Sequence, residues 1–541
     1  MSRLYGDAGR IVSEVLERKG GIKTLTMAKK VRNKPKMHAL VSETLRYREV
    51  LLEVMKPERC GVDESVWSVA KFRGVLLVML YEFLLGHGIK GGGALKRVLK
   101  EHESALRGAL NELRAEAGAQ DSNELLLPKQ LRRSEVVPVP RFARVNTLRC
   151  GVDAAAEALR SKGGGGHSVA VDPHVPGLLV LPPRTDLHAH PLVKSGQLIL
   201  QDKASCLPAH ILLEQAGADA DLGDATAPYD VIDCCAAPGN KTSHAAAILG
   251  KRRRAAPGVP KPVPPRRFVY AFDKSQQRLA LLRRRMKEAN AASVRATLCD
   301  FLSLDPTEPQ WASVKAVLLD PSCSGTGMPQ HHLLDSLDSR KESADGGGSG
   351  GSGSAKSAGG EGGAAESAEV ARERELQKRA AKLAEFQLKA IKHAFLFPSA
   401  ARLTYSTCSI LATENEEVVA AALAWSREQR NAAAGGGWEL VPALPSWHRR
   451  GIACDGLTAA ESKCLVRVDR DQDKMNGFFV TLFRRAQPAS VPPPAPAPAP
   501  ARGTVFNPKG RRRTLPPQEG GRRKKKRTRG GSRHKITLPR R

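Results

Sequence analysis

Two cysteines stand in short runs of small residues, DPSCSGTG (320–327) and TYSTCS (404–409), each closing an apolar, strand-forming stretch. Buried, unreactive thiols are the ordinary reading of such cysteines. A pair at neighbouring strand ends could instead perform nucleophilic catalysis, because a thiolate forms readily and departs readily. Its addition to carbon six of a pyrimidine turns an unreactive ring into an enamine, whose carbon five can attack an electrophilic methyl group. Asp320, three residues before Cys323, could stabilise that adduct at the ring nitrogen and amine.

Such chemistry needs a methyl donor, and YDVIDCCAAPGNKTS (229–243) is the candidate cradle. Apolar residues end at Cys234 and Cys235, Pro238 and Gly239 turn the chain, and a helical pattern follows; strand, glycine turn and helix start together describe a ligand loop. An ordinary strand-to-helix turn would read the same, so the surrounding positions must decide. A ribose-binding acid is expected about 20 residues past the glycine turn. Asp273 lies 34 residues past Gly239, but removing the 16-residue basic insertion 251–266 leaves about 18. The GxGxxG dinucleotide pattern is absent, which favours a cofactor with ribose and base but no diphosphate, such as S-adenosylmethionine. Asp300 could accept from the exocyclic amine of adenine, or could simply cap a turn.

Positioning these residues requires a repeated strand and helix alternation. Strands are expected at 230–235, 268–273, 294–300, 314–320 and 402–408, separated by helical patterns and closed by CLVRVD and GFFVTLF. This predicts an α/β fold, a doubly wound, mostly parallel sheet with ligands outside the carboxyl ends of its strands. Those ends carry Cys235, Asp273, Asp300, Asp320 and Cys408.

Residues 1–130 carry apolar residues at three- and four-residue spacing and predict a helical domain. Residues 138–200 read as a small α+β domain, with Arg141, Arg144 and Arg149 at its entrance for phosphate contacts or surface solvation. The catalytic fold spans 201–485, interrupted by the basic insertion 251–266 and a Gly/Ser-rich one at 341–370; a Pro/Ala linker and basic tail occupy 486–541.

The chain has 541 residues, too many for one core, and 86 Lys/Arg against 55 acids, a net charge of +31. From Arg502 to Arg541 sixteen Lys/Arg face one acid, Glu519. A polyanionic partner such as nucleic acid follows. The ten cysteines form no CxxC pair and no zinc spacing, so no metal is expected. With neither a signal segment nor a membrane-length apolar run, a soluble protein in a reducing compartment is expected.

CAAPGNKT, DPSCSGTG and TYSTCS, with PRFARVN upstream and GFFVTLF downstream, resemble the Sun-family RNA cytosine-5 methyltransferases, the Fmu/RsmB-like group, across about 138–485. Asn240, Ser322 and the amino-terminal VLLVMLYEFLLGHGIKGGG resemble the eukaryotic nucleolar subgroup that methylates large-subunit ribosomal RNA. The resemblance implies a Rossmann-like methyltransferase sheet, an RNA-recognition-like domain at 138–200, and S-adenosylmethionine as cofactor. It implies Cys408 as the nucleophile that adds to carbon six, and Cys323 as the cysteine that helps release the product. It further implies cofactor contacts at Cys235, Ala236, Ala237, Pro238, Gly239, Asn240 and Lys241, and at Asp273, Arg278, Asp300 and Asp320. Lys241 and Asp320 are also implied to face the target base. Most of the wider family has glycine in place of Asn240, and Ala-Pro-Cys in place of Pro321-Ser322-Cys323.

The expected function is therefore S-adenosylmethionine-dependent RNA cytosine-5 methylation, with large-subunit rRNA or a pre-ribosomal particle as partner, no membrane or metal, a monomer, and nuclear, nucleolar residence. A non-catalytic ribosome-assembly RNA-binding protein on the same scaffold is the alternative. A nicotinamide oxidoreductase would fit the sheet but not the missing glycine fingerprint. The target cytosine must be single-stranded or extruded. With aromatics at 4% of residues, basic contacts should dominate affinity, and binding should weaken with salt.

Overall fold

A computed structural model describes residues 3–486 except 18, 29–30, 70–72, 92, 121, 129–130, 133–136, 162–164, 224–228, 255–266, 329–367 and 433–436. The basic insertion from residue 255, the Gly/Ser-rich insertion up to residue 367, and the Pro/Ala linker and basic tail from 487 lie outside the described residues.

The amino-terminal third is helical. Helices Arg3–Leu16, Lys34–Arg46, Arg73–Leu84 and Glu103–Glu116 bury one apolar cluster that includes Ile11, Val41, Leu51, Leu77 and Leu106. Asn33 caps the second of these, its side chain accepting from the Lys36 N–H, and Pro35 sits in the first turn, where its missing N–H costs nothing.

Four short antiparallel strands follow: β1 (Arg141–Val145), β2 (Ala170–Val171), β3 (Leu178–Leu181) and β4 (Leu198–Leu200), in the order β2-β3-β1-β4. Side chains alternate across a strand. Ala143 and Val145 therefore enter this sheet's own core with Leu179 and Leu181, while Phe142 and Leu178 join the large core of the following fold. The small sheet is thereby joined to the larger one by shared apolar burial.

The larger sheet contains β5 (Asp230–Asp233), β6 (Val269–Asp273), β7 (Val294–Leu298), β8 (Val314–Leu319), β9 (Arg402–Thr407), β10 (Trp438–Val441), β11 (Val466–Val468) and β12 (Phe478–Arg485). Its order is β10-β12-β9-β8-β5-β6-β7, with β11 on β12. β5 to β9 are parallel; β10, β11 and β12 pair antiparallel at one side. The expected doubly wound α/β sheet is present, and its antiparallel side contains one strand, β10, that the sequence reading lacked.

Both faces are buried, which explains the nearly continuous apolar runs of the parallel strands. On β5, Val231 packs on one face and Ile232 on the other; on β8, Ala316 and Leu318 oppose Val317 and Leu319. One face is rich in aromatics, among them Phe301, Trp311, Phe397 and Phe479. Strand order reverses at β5, with β6 and β7 to one side and β8 and β9 to the other. The crevice of such a sheet opens at that switch, beyond the carboxyl ends of β5 and β8. The loops beginning at Cys234 and Asp320 leave the sheet there.

Candidate active site

Cys323 follows β8 and Cys408 follows β9, and their sulfurs lie 3.0 Å apart, both as free thiols. Two thiols this close share one proton more readily than they hold none. The contact with Cys323 holds the Cys408 thiol below its ordinary range, with help from the Lys241 charge, while burial and Asp320 oppose. Cys323 is driven well above that range, first by Cys408 and then by burial. The pair is thus polarised, with Cys408 the better thiolate.

Lys241, in the first turn of the helix Asn240–Arg254, reaches across to the Asp320 carboxylate at 2.8 Å. Its Nζ also donates to Ser205 Oγ at 3.2 Å and sits 5.4 Å from the centre of the Phe478 ring. Burial alone would weaken its charge, but the charge of Asp320 and the hydrogen bond to it raise the Lys241 pKa. The other Asp320 oxygen accepts from Ser406 Oγ at 2.6 Å. Strands β8 and β9 and the helix after β5 therefore bring Asp320, Lys241, Cys323 and Cys408 together, although they are far apart in sequence.

The backbone beneath the cysteines is tightly held. Glu414, fully buried, accepts from the Ser324 N–H at 2.8 Å and from Gln387 Nε2 at 3.0 Å. Gln387 also donates to the Ser322 carbonyl at 3.0 Å and accepts from the Tyr405 hydroxyl at 3.0 Å. Asn415 secures the other loop, donating from its amide to the Ser409 carbonyl at 2.9 Å. These positioning residues were missed by sequence reasoning. Their signal was the run ENEE (414–417) just after the second cysteine, which reads equally well as the acidic first turn of the helix Glu416–Ala432.

Gly327 and Gly477 close the same loops. A Cβ on Gly327 would lie 2.2 Å from the Gly477 carbonyl oxygen and 2.9 Å from that of Cys408, which accepts from the Gly327 N–H. Gly327→Ala is expected to lower kcat by about a hundredfold, since small displacements of reacting groups carry costs of that order. Cofactor affinity should stay close to wild type, and a stopped-flow methylation assay beside a binding titration reads both.

On the donor side, the Asp233 side chain lies under the loop 234–239 and accepts from Thr242 Oγ1 at 2.7 Å. Burial raises the Asp233 pKa to about 7, and burial likewise pushes the Cys235 thiol up to about 12, too high for a nucleophile. Gly239 adopts φ +104°, and a Cβ there would meet Leu282 Cδ1 at 2.7 Å and Met286 Cε at 2.8 Å, so glycine is required. Asp273 ends β6 with its side chain buried, accepting from the Ser275 N–H at 2.9 Å and lying 3.5 Å from the Arg278 guanidinium. Arg278 donates also to the Ala237 carbonyl, which ties the turn after β5 to the end of β6. Asp300 is exposed beyond β7 and accepts from the Leu302 N–H at 3.1 Å, so it does cap a turn.

Asn240 directs its side-chain oxygen to Arg285 on the helix Gln276–Glu288, at 3.2 Å. That side chain is committed to holding the helix against the turn. Arg144 differs from the sequence reading in the same way. Rather than standing at the surface for phosphate contacts, it is fully buried, donating to Gln201 Oε1 and Ser243 Oγ at 2.8 Å each and to the Asn240 carbonyl at 3.3 Å. It faces the same way as Phe142, toward the catalytic fold, and burial lowers its pKa to about 10. Among the described residues no group of three or more His, Cys, Asp and Glu could hold a metal ion.

The residues fit S-adenosylmethionine by their own chemistry: a buried acid, Asp273, at the end of β6, a left-handed glycine turn after β5, and small residues up to a polarised thiol pair. Residues 35–126 match the family described as NOL1/NOP2/Sun domain family member 5, N-terminal domain. Residues 164–201 match the ferredoxin-like domain of the same family member, and 224–344 match 16S rRNA methyltransferase RsmB/F. The chain is 34% identical to the 28S rRNA (cytosine-C(5))-methyltransferase of Mus musculus over 94% of this chain and 97% of that one. It is 33% identical to the 25S rRNA (cytosine-C(5))-methyltransferase NSUN5 of Arabidopsis thaliana, over 91% and 75%. The solved structure titled "Crystal Structure of PH0851" has the same fold, at TM-score 0.51 and 17% identity over 90% of this chain and 99% of that one. With matches to both domains of family member 5 and a third of all residues shared with full-length relatives, the chain belongs to the NOL1/NOP2/Sun domain family, in its member 5 branch.

Proposed function

We propose that this protein methylates carbon five of a cytosine in large-subunit ribosomal RNA, with Cys408 as nucleophile and S-adenosylmethionine as cofactor. The 3.0 Å contact between Cys408 and Cys323, polarised toward a Cys408 thiolate, is the observation that carries the reading. When bound, S-adenosylmethionine supplies an electrophilic methyl group to the carbon that cysteine addition has made nucleophilic. Cys235 to Lys241, Asp273, Arg278 and Asp320 would hold it, Asn240 through its backbone, and Asp300 would add the carboxylate oxygen that does not cap the turn.

Cys408 Sγ forms a bond to carbon six of the target ring, and the displaced ring electrons move toward carbon five and the ring nitrogen. Asp320, held by Lys241 and Ser406, meets that nitrogen and the neighbouring amine, and Lys241 offsets the negative charge that develops there. After methylation the hydrogen on carbon five must leave as a proton while the Cys408 bond breaks. Once Cys408 is bonded to carbon six its charge no longer opposes ionisation of Cys323, which gives up its own proton to water; the Cys323 thiolate then takes the carbon-five proton, and the Cys408 thiolate departs.

Lys241 contributes to keeping Cys408 ionised, so its loss has a readable sign. Lys241→Met should move the rising limb of the kcat profile to higher pH, because a thiol without a neighbouring cation deprotonates less readily. A limb at the wild-type pH would remove Lys241 from that role.

Names of the relatives specify 28S and 25S rRNA, which supports a large-subunit substrate. Nuclear, nucleolar residence follows from that substrate and the basic tail. Bisulfite sequencing of total RNA with and without the protein tests the function: one large-subunit cytosine should lose its protection. Unchanged protection at every rRNA cytosine would refute the assignment.

A further inference from the structure

A cavity of about 590 Å³ opens between the small four-stranded sheet and the start of the catalytic fold. Arg141, Arg184 and His188, the last paired with Asp186, line it from the small sheet, and Asp202 and Asn476 line it from the catalytic side. The volume is in the range of small-ligand sites. Its lining combines two arginines, two carboxylates, Asp186 and Asp202, and an uncommitted amide.

Three observations say that this lining awaits a ligand. Arg141 Nε is buried without a hydrogen-bond partner among the described residues. Arg184 is exposed, makes no side-chain hydrogen bond to a described residue, and is held at φ +63°, a left-handed conformation rare for any residue but glycine. Such strain persists where a side chain is needed. Asn476 uses its backbone N–H toward Asp202 at 3.4 Å, leaving its side-chain amide free among the described residues.

The cavity is also next to the chemistry. Asn476 lies two residues before Phe478, whose ring adjoins Lys241, and two residues of chain span at most about 7 Å. Asp202 lies three residues before Ser205, which accepts from Lys241 Nζ. The opening thus borders the Lys241 side of the site.

We propose that this cavity binds the nucleotide adjacent to the target cytosine in the RNA strand. Arg141 and Arg184 take its phosphate, and Asn476 reads the base edge. Arginine pairs phosphate oxygens through two parallel N–H donors, and an amide side chain matches a base edge in the same bidentate manner. This proposal rests on the RNA methyltransferase reading above.

The test uses the full chain and single-stranded RNA oligonucleotides centred on the cytosine that bisulfite sequencing identifies, with an abasic residue at either neighbouring position. Arg184→Gly removes the guanidinium where glycine is freely accommodated, so its melting temperature should not fall. The expected result is a KM for RNA raised about tenfold, with kcat and S-adenosylmethionine affinity retained. One of the two abasic oligonucleotides should raise the wild-type KM several-fold and have no further effect on Asn476→Ala. A wild-type KM in Arg184→Gly, together with indifference to both abasic positions, overturns the proposal and leaves the methyltransferase reading standing. Absence of methyl transfer by the wild type removes both.

Discussion

Cys408→Ala is expected to lower methyl transfer to cytosine by ~10⁴-fold or more, the order seen when a covalent nucleophile is removed. The loss should fall on chemistry alone. Cys408 lies beyond β9 with its backbone fixed by Gly327 and Asn415, so a smaller side chain leaves the loop in place. The proposed cofactor residues Asp273, at the end of β6, and Gly239, in the turn after β5, lie on other segments and keep their geometry. RNA containing 5-azacytidine traps a thiolate that has added to carbon six, so denaturing gels should show a retarded band for the wild type and none for this variant. A retarded band with Cys408→Ala would assign the nucleophile elsewhere, with Cys323, 3.0 Å away, as the first candidate.

Cys323→Ala should have the opposite signature. Attack requires the Cys408 thiolate, which this variant retains, whereas release requires a base for the proton on carbon five. Removing a positioned acid–base group slows a step by ~10²–10⁴-fold. A covalent protein–RNA complex should therefore accumulate on unmodified RNA, and multiple-turnover rates should fall further than the first turnover. Cys323 also contributes the contact that keeps Cys408 below the usual thiol range, so formation of the complex should shift toward higher pH. Rapid release with normal turnover would make Cys323 a spectator.

The fold was readable because parallel strands buried on both faces are continuous apolar stretches, against which a polar final residue stands out. Cys235, Asp273, Asp320 and Cys408 were found by that contrast. Asp273 needed one further step, because an insertion had stretched its spacing from the glycine turn. What escaped depends on contacts between distant segments. Arg144 looked like a surface cation beside Arg141 and Arg149, yet its partner Ser243 is almost a hundred residues away and the two meet only where the small sheet packs on the catalytic fold. Glu414, Gln387 and Tyr405 lie on three separate elements, and nothing in their spacing reveals that they converge under Cys323. Asn240 could not be understood alone either, since Arg285, the partner that occupies its side chain, follows a whole strand and most of a helix later.

The most direct measurement uses purified protein, large-subunit rRNA and S-adenosylmethionine labelled in its methyl group, followed by digestion of the RNA to nucleosides. Label is expected in 5-methylcytidine alone with the wild type, and nowhere with Cys408→Ala. Label in any other nucleoside, or in 5-methylcytidine made by Cys408→Ala, would contradict the proposed function.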